Sequence, residues 1–184
     1  ILKEVSEITK MPDFKGYVSD LGGPSANMYK MGGVDVDICK KCARPSCIFP
    51  AICKNLNYNH AKTTALYKQA TQIPGIKKIF VGSGIRYDMF FKENRLTPDG
   101  LEYAQNLIKN HVSGRLKVAP EHTQPHILNL MRKPSYQLFE EFNRFFIAEN
   151  QKNNQKQQLI PYFISSHPGC KIQDMWQLHN DTSK

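Results

Sequence analysis

Hydrophobic positions along the chain follow two alternating rhythms. Four β-rich apolar runs each end in a polar box containing Gly or Pro. They are Gly16-Tyr17-Val18-Ser19-Asp20-Leu21-Gly22-Gly23-Pro24, Lys77-Lys78-Ile79-Phe80-Val81-Gly82-Ser83-Gly84-Ile85-Arg86, Leu116-Lys117-Val118-Ala119-Pro120-Glu121-His122-Thr123 and Leu159-Ile160-Pro161-Tyr162-Phe163-Ile164-Ser165-Ser166-His167-Pro168-Gly169. Between them apolar residues recur at the three- and four-residue spacing of helices. Ile1, Leu2, Val5 and Ile8 mark a helix over 1–10, and Ala61, Ala65, Leu66 and Ala70 mark one over 60–72. Leu101, Ala104, Leu107 and Ile108 mark a third, and Leu138, Phe142, Phe145 and Phe146 a fourth. Strand–helix alternation is the pattern of a parallel α/β sheet or barrel, which gathers ligands at the C-terminal ends of its strands. The four boxes are therefore expected to converge on one site.

Local signals refine these bounds. Thr97-Pro98-Asp99 starts a helix with Thr97 as N-cap and Pro98 at the first helical position, and Ser113-Gly114 ends it. A short helix is expected over 125–131, and Pro134-Ser135 opens the next, whose phenylalanines read as core. Residues 150–158, rich in Lys, Asn and Gln, read as a solvated connection, and Pro74-Gly75 punctuates the second helix before its strand. Residues 25–58 break the rhythm and read as a Cys-rich insertion. Four βα units are too few for a closed eight-stranded barrel. The expected fold is α/β, a partial parallel (βα) barrel over 1–184 carrying that insertion after its first strand. The chain opens inside an amphipathic helix and ends in a helix-like stretch over 174–179, so it is expected to be a piece of a longer protein.

A length of 184 residues with 40% hydrophobic content suits one domain with a core. No apolar run of 18 or more residues exists to span a membrane, and no basic segment followed by an apolar one suggests export. The expected compartment is the cytoplasm, with no membrane partner. The net charge of +9 reads either as a well-solvated surface or as a footprint for RNA or another polyanion.

Each box has a chemical and a structural reading. Gly22-Gly23 lets backbone N–H groups approach a carboxylate or phosphate, or simply makes a tight turn. Asp20 accepts from an amino group or caps a helix. Ser83 lies in a small-residue turn with Arg86, which holds a ligand carboxylate or pairs with Asp88. Glu121 and His122 are suited to proton transfer or to a ribose hydroxyl, and their adjacency on a strand predicts diverging side chains. Ser165 and His167 close the fourth run, His167 as a ligand, a proton shuttle or a structural histidine.

Cys39, Cys42, Cys47 and Cys53 place four of the five cysteines in one short segment. Without an export signal this clustering reads as metal before disulfide, either zinc or an iron–sulfur cluster, with free or redox-active thiols as the alternative. A module without its own core would gain its fold from such a metal. Cys170 reads as an ordinary thiol.

With these boxes laid out, the chain resembles radical SAM enzymes, specifically the YgiQ-type family. The similarity is carried by Asp13-Phe14-Lys15-Gly16-Tyr17-Val18-Ser19-Asp20-Leu21-Gly22-Gly23-Pro24-Ser25-Ala26-Asn27-Met28-Tyr29, Gly82-Ser83-Gly84-Ile85-Arg86-Tyr87-Asp88, the 116–123 box and the segment 158–170, and it extends to Arg44-Pro45-Ser46-Cys47. The resemblance implies a partial (βα)6 barrel in which a 4Fe–4S cluster on a CxxxCxxC loop reductively cleaves S-adenosylmethionine to a 5′-deoxyadenosyl radical. It implies that Gly22 and Gly23 meet the methionyl amino group, that Glu121 and His122 hold the ribose or methionyl end, and that Ile164, Ser165 and His167 lie near the adenine. No CxxxCxxC occurs in this chain. The implied role is part of a radical SAM core lacking the primary cluster ligands and inactive alone, its substrate undefined, with RNA and protein as candidate classes. Missing upstream strands would expose a strand edge and the inner sheet face, predicting self-association.

Two other readings compete on the residues alone. The basic charge and four thiols fit a metal-stapled nucleic-acid-binding module, recognisable by salt-dependent retention on RNA. Glu121 and His122 on a half-barrel fit a hydrolase or lyase, active without iron or S-adenosylmethionine.

Overall fold

The computed structural model describes residues 1–23 and 25–183. Pro24, the last residue of the first box, lies outside the described residues. In chain order the elements are α1 (Leu2–Ile8), β1 (Tyr17–Val18), β2 (Gly32–Gly33), α2 (Val36–Lys40), β3 (Leu56–Asn57), α3 (Ala61–Thr71), β4 (Lys78–Ile79), β5 (Phe91–Lys92), β6 (Arg95–Leu96), α4 (Pro98–Asn110), β7 (Arg115–Glu121), α5 (Pro125–Leu130), α6 (Tyr136–Lys152), β8 (Gln158–Phe163) and α7 (Ile172–Thr182). Single 3-10 turns occur at Ala26–Met28 and Tyr87–Phe90.

The four apolar runs are neighbours in chain order, each parallel to the next. β1 pairs with β4, Tyr17 opposite Lys78 and Val18 opposite Ile79. The contact continues beyond the strands, where Phe80 N donates to Val18 O at 2.9 Å and Leu21 N to Phe80 O at 2.9 Å. Ile85 then bridges Val118 in parallel, and β7 pairs with β8 from Arg115–Gln158 to Glu121–Phe163 with one irregularity after Val118.

Alternation along β7 shows which face is covered. Leu116, Val118 and Pro120 are buried, whereas Arg115 and Lys117 are exposed. On the covered face Ile79, Val81, Leu116 and Val118 pack beneath Tyr67 and Ala70 of α3, Tyr103, Leu107 and Ile108 of α4, and Phe142 and Phe146 of α6. The helices pack in sequence, α1 on α3, α3 on α4 and α4 on α6. The opposite face is open, with Tyr17 of β1 54% exposed and Tyr162 of β8 51% exposed. Parallel sheets are rarely left bare on one side.

Capping follows the sequence signals. Thr97 Oγ1 accepts from Gly100 N at 3.1 Å, and Ser135 Oγ accepts from Gln137 N at 3.3 Å, each satisfying an orphan amide of the first turn. The phenylalanine stripe is core, with Tyr87 stacked on Phe142 at 5.7 Å between ring centroids. The connection expected over 150–158 starts later, because α6 continues to Lys152. Asn154 ends that helix in the left-handed region, φ +51°. Its N–H donates to Gln151 O, and Gln155 N donates to Asn150 O at 2.9 Å, the paired bonds of a Schellman cap.

The insertion has its own ties. β2 and β3 pair antiparallel, Gly33 opposite Leu56, and Asp35 Oδ1 caps α2 by accepting from Asp37 N and Ile38 N. An unforeseen hairpin joins β5 and β6, its turn residues Glu93 and Asn94 both at positive φ, as a two-residue type I′ turn requires.

Candidate functional site at the strand ends

The C-terminal ends of the four runs are tied to one another. Asp20 Oδ1, at the end of the first, accepts from Gly82 N at 2.9 Å, at the end of the second. Asp20 thus holds the second box in place. A side chain at Gly82 would come within 3.2 Å of Ser19 O and crowd that carbonyl. Three non-glycine residues at these ends adopt the left-handed region: Ser25 (φ +63°), Glu121 (φ +68°) and Ser166 (φ +57°). Such geometry is sparse for L-residues and concentrates at functional sites.

A cavity of about 220 Å³ lies on the open side of the sheet, lined by Ser83, Gly84, Arg86, Lys117, Ala119 and Tyr162, with Ser25 and Lys133 at its margin. Ser83 Oγ is buried and has no hydrogen-bond partner. A buried hydroxyl without a partner is uncommon and asks for a ligand or a water. Arg86 donates from Nε to Asp88 Oδ1 at 2.8 Å and from a terminal nitrogen to Asp88 Oδ2. Burial works against the guanidinium charge, yet the Asp88 pairing outweighs it and holds its pKa above the ordinary value. Of the two sequence readings of Arg86, the ion pair with Asp88 is present in the free chain.

The side chains of Glu121 and His122 point apart, although the strand has already turned at Glu121, φ +68°, and His122 lies beyond its end. The Glu121 carboxylate pairs with Lys133 Nζ at 2.8 Å. His122 is fully buried and turns towards α7, its Nδ1 accepting from Gln124 N at 3.0 Å and its Nε2 3.8 Å from Cys170 Sγ. With Nδ1 accepting, the ring proton belongs on Nε2. Burial lowers the pKa of this imidazole. Ser165 is exposed, and His167 Nδ1 lies 2.7 Å from Pro168 O. Neither lines the Ser83 cavity.

Gly22 and Gly23 border a second cavity, of about 630 Å³, with Asp20, Ser25, Ile1 and Val5 of the α1 segment, and Leu66 and Tyr67 of α3. Ser25 lines both cavities. Gly23 has φ +144° and open space where a side chain would begin. No hydrogen bond leaves the N–H of Gly22 or Gly23 among the described residues. Of the expected site residues, Asp20, Gly22 and Gly23 line the larger cavity and Ser83 and Arg86 the smaller one, whereas Glu121, His122, Ser165 and His167 line neither.

Cys39, Cys42 and Cys47 are exposed and Cys53 is half-buried. Among the described residues no three His, Cys, Asp or Glu side chains converge as a metal site. Cys39 Sγ instead accepts from Asn55 Nδ2 at 3.2 Å, and Cys42 Sγ from Arg44 N at 3.4 Å. Four thiols suit zinc or iron by chemistry, but their arrangement does not fit a closed tetrahedral site.

Several site residues carry no local sequence signal. Lys133 has no motif around it and is drawn in by the left-handed turn at Glu121. Buried Asn27 and His60 and half-buried Asp99 form a polar chain behind Arg86. Asn27 Oδ1 accepts from Arg86 N at 2.8 Å and its Nδ2 donates to Arg86 O at 2.9 Å. Burial lowers the His60 pKa against the opposing pull of Asp99. For Asp99, partial burial favours the neutral acid, but hydrogen bonds led by that from His60 N hold its pKa below the ordinary value.

Comparison with known proteins adds kinship. The chain is 58% identical over 181 residues to a protein of Bacteroides thetaiotaomicron, with 97% of this chain and 29% of that one aligned. It is 54% identical over 187 residues to one of Porphyromonas gingivalis, covering 100% of this chain and 30% of the relative. Identity to a Vibrio vulnificus relative is 46% over 179 residues, 97% of this chain and 22% of that protein. All three are UPF0313 proteins. UPF0313 is the YgiQ-type family, so homology and motif resemblance meet at that level. The chain spans 22–30% of the length of these curated relatives. No protein-family model and no solved structure matches it. Among the described residues no helix is long and apolar enough to cross a membrane.

Proposed function

We propose that this chain supplies S-adenosylmethionine-binding elements of a radical SAM enzyme, on the rim of a partial parallel (βα) barrel. The observation that carries the reading is the unpartnered Ser83 hydroxyl, buried beside Arg86 where parallel strands end. The motif resemblance and the homology to UPF0313 proteins support it. In such an enzyme a reduced 4Fe–4S cluster would supply the electron that cleaves the sulfonium. The chain's own residues do not fit that cluster, since no CxxxCxxC is present.

What the chain contributes is binding. The backbone of Gly22 and Gly23 is open to the polar methionyl end, and Ser83 Oγ offers one donor and two acceptor positions to a ribose or carboxylate. Glu121, released from Lys133, is the acceptor for a hydroxyl pair. Lys117 and Tyr162 border the same space. The four thiols of residues 39–53 remain a proposed metal module whose closure requires the loop to rearrange. The parent protein's substrate is outside what these residues define, and its expected compartment is the cytoplasm.

The test is NMR titration of the chain with S-adenosylmethionine and, separately, methionine and adenosine. Shifts centred on the amides of Gly22, Gly23, Ser83, Arg86 and Glu121 are expected, with weak affinity. If millimolar S-adenosylmethionine leaves those amides unmoved, the assignment falls.

A further inference from the structure

Asn27 is fully buried yet polar, and each hydrogen-bonding group of its amide is used. Oδ1 takes the N–H of Arg86, while Nδ2 donates both to Arg86 O and to His60 Nε2, the latter at 3.2 Å. An amide flip would set oxygen against Arg86 O and nitrogen against its N–H, so the orientation follows from the backbone partners. His60 Nε2 must then accept, which puts the ring proton on Nδ1. Asp99 Oδ2 lies 3.4 Å from that Nδ1, but not in line for a hydrogen bond with the ring. Its hydrogen bond comes from the His60 main-chain N–H at 2.8 Å. Phe90 and Tyr103 close around the His60 ring, with centroids at 5.1 and 5.2 Å.

The geometry has a direction. Asn27 follows the glycine box, and the residue it grips, 59 positions away, carries a side chain that lines the Ser83 cavity. Ala26 N adds a bond to Gly84 O at 3.3 Å. A buried asparagine serving only the core would bond to a core strand. This one fixes the main chain of a site turn at both its N–H and its C=O.

We propose that Asn27 is a positioning residue: it clamps the 83–86 turn to the glycine box so that Ser83 Oγ and Arg86 face one cavity, with His60 and Asp99 holding its amide in register. The inference rests on the reading that this cavity takes S-adenosylmethionine.

Two readouts on the full chain separate the two. The first is hydrogen exchange of the Arg86 amide, relative to the core amide of Leu116. The second is the affinity for S-adenosylmethionine. Asn27→Asp keeps the acceptor for the Arg86 N–H but replaces both donations with a carboxylate oxygen set against Arg86 O, and that repulsion should open the turn, speed Arg86 exchange and weaken binding, each on the order of tenfold. His60→Gln keeps an acceptor for Asn27 and should stay near wild type in both. His60→Leu, which fills the space without an acceptor, should resemble Asn27→Asp. A merely structural role would not distinguish Gln from Leu at position 60 in this way. Should Asn27→Asp fail to fold, the His60 pair decides alone. Unchanged Arg86 exchange in Asn27→Asp, or in both His60 variants, overturns the clamp. If the wild-type chain binds no S-adenosylmethionine while Arg86 exchange still responds, the ligand assignment falls and the clamp stands.

Discussion

Glu121 and Lys133 are joined by a 2.8 Å ion pair whose two side chains are only 14% and 22% exposed. The pair ties the left-handed end of β7 to the turn after α5, where Arg132 also has positive φ. Truncating one member of a largely buried pair strands the other charge. Lys133→Met is therefore expected to lower stability by roughly 1–3 kcal/mol, read as a shift in urea midpoint. Adding Glu121→Gln should recover most of the loss. A neutral single variant would mean that the carboxylate is already hydrated.

Ser83 offers a stability–function contrast. Its hydroxyl is buried without a partner, so Ser83→Ala removes an unpaired polar group from the free chain. The variant is expected to melt at the same temperature or slightly higher, by up to about 1 kcal/mol of stability. Its affinity for S-adenosylmethionine should fall several-fold. A clear loss of stability would show instead that the hydroxyl already has a partner in solution.

Legibility in the sequence followed the range of the interaction. Thr97 and Ser135 act within three residues of themselves, so Thr97 is legible as a cap and Pro134-Ser135 as a helix start. Burial of the phenylalanine stripe follows from helical spacing, since Phe142 and Phe146 share a face. The β5–β6 hairpin lacks the glycine that usually marks a two-residue turn, with Glu93-Asn94 in its place, and it escaped the reading. Asn154 ends α6 without glycine, so the helix ran past the expected bound. Asn27 and Lys133 were invisible for a different reason: their partners, Arg86 and Glu121, are remote in sequence, and only the fold brings them near. The division of the rim into two cavities is likewise a packing outcome, set by Ser25 standing between them.

Stability should depend on pH through three buried imidazoles. Burial lowers the pKa of His60, His111 and His122 below the ordinary 6.5, that of His111 despite a contact of its Nδ1 with Ile79 O at 2.8 Å. The unfolded chain then takes up protons near pH 6.5 that the folded chain refuses. Stability is complete above that pH and declines as pH drops towards the depressed folded-state values. The slope is about 1.4 kcal/mol per pH unit for each histidine that titrates only when unfolded. Urea titrations between pH 7.5 and 5, in about half-unit steps, should show this fall, and His111→Gln should shrink it. A flat profile would mean that all three rings titrate normally in the native state.

The open sheet face carries an association prediction. Tyr17 and Tyr162 stand half-exposed on strands that each have one neighbour among the described residues, and uncovered strand edges recruit partners. Sedimentation should show mass rising with protein concentration. Tyr17→Lys together with Tyr162→Lys should return the chain to monomer. A wild-type monomer at every concentration would count against exposure of that face in solution.

The thiols provide the last test, because their environments differ. Cys39, Cys42 and Cys47 are exposed, while Cys53 and Cys170 are half-buried. In metal-free protein the first three should react with a disulfide reagent ahead of the other two. Closing a tetrahedral thiolate site would cost the Asn55 bond to Cys39 and the Arg44 amide bond to Cys42, and metal–thiolate bonds are strong enough to offset both. With one equivalent of zinc, four thiols should therefore disappear from the titration and Cys170 should remain. Cys42→Ser should then leave the zinc protection weakened. If all five thiols stay reactive with zinc in excess, the cysteines hold no metal, and the insertion is held by its β2–β3 pairing, the Asp35 cap, the Asn55–Asp35 bonds and the Arg44 bond to Ala51 O.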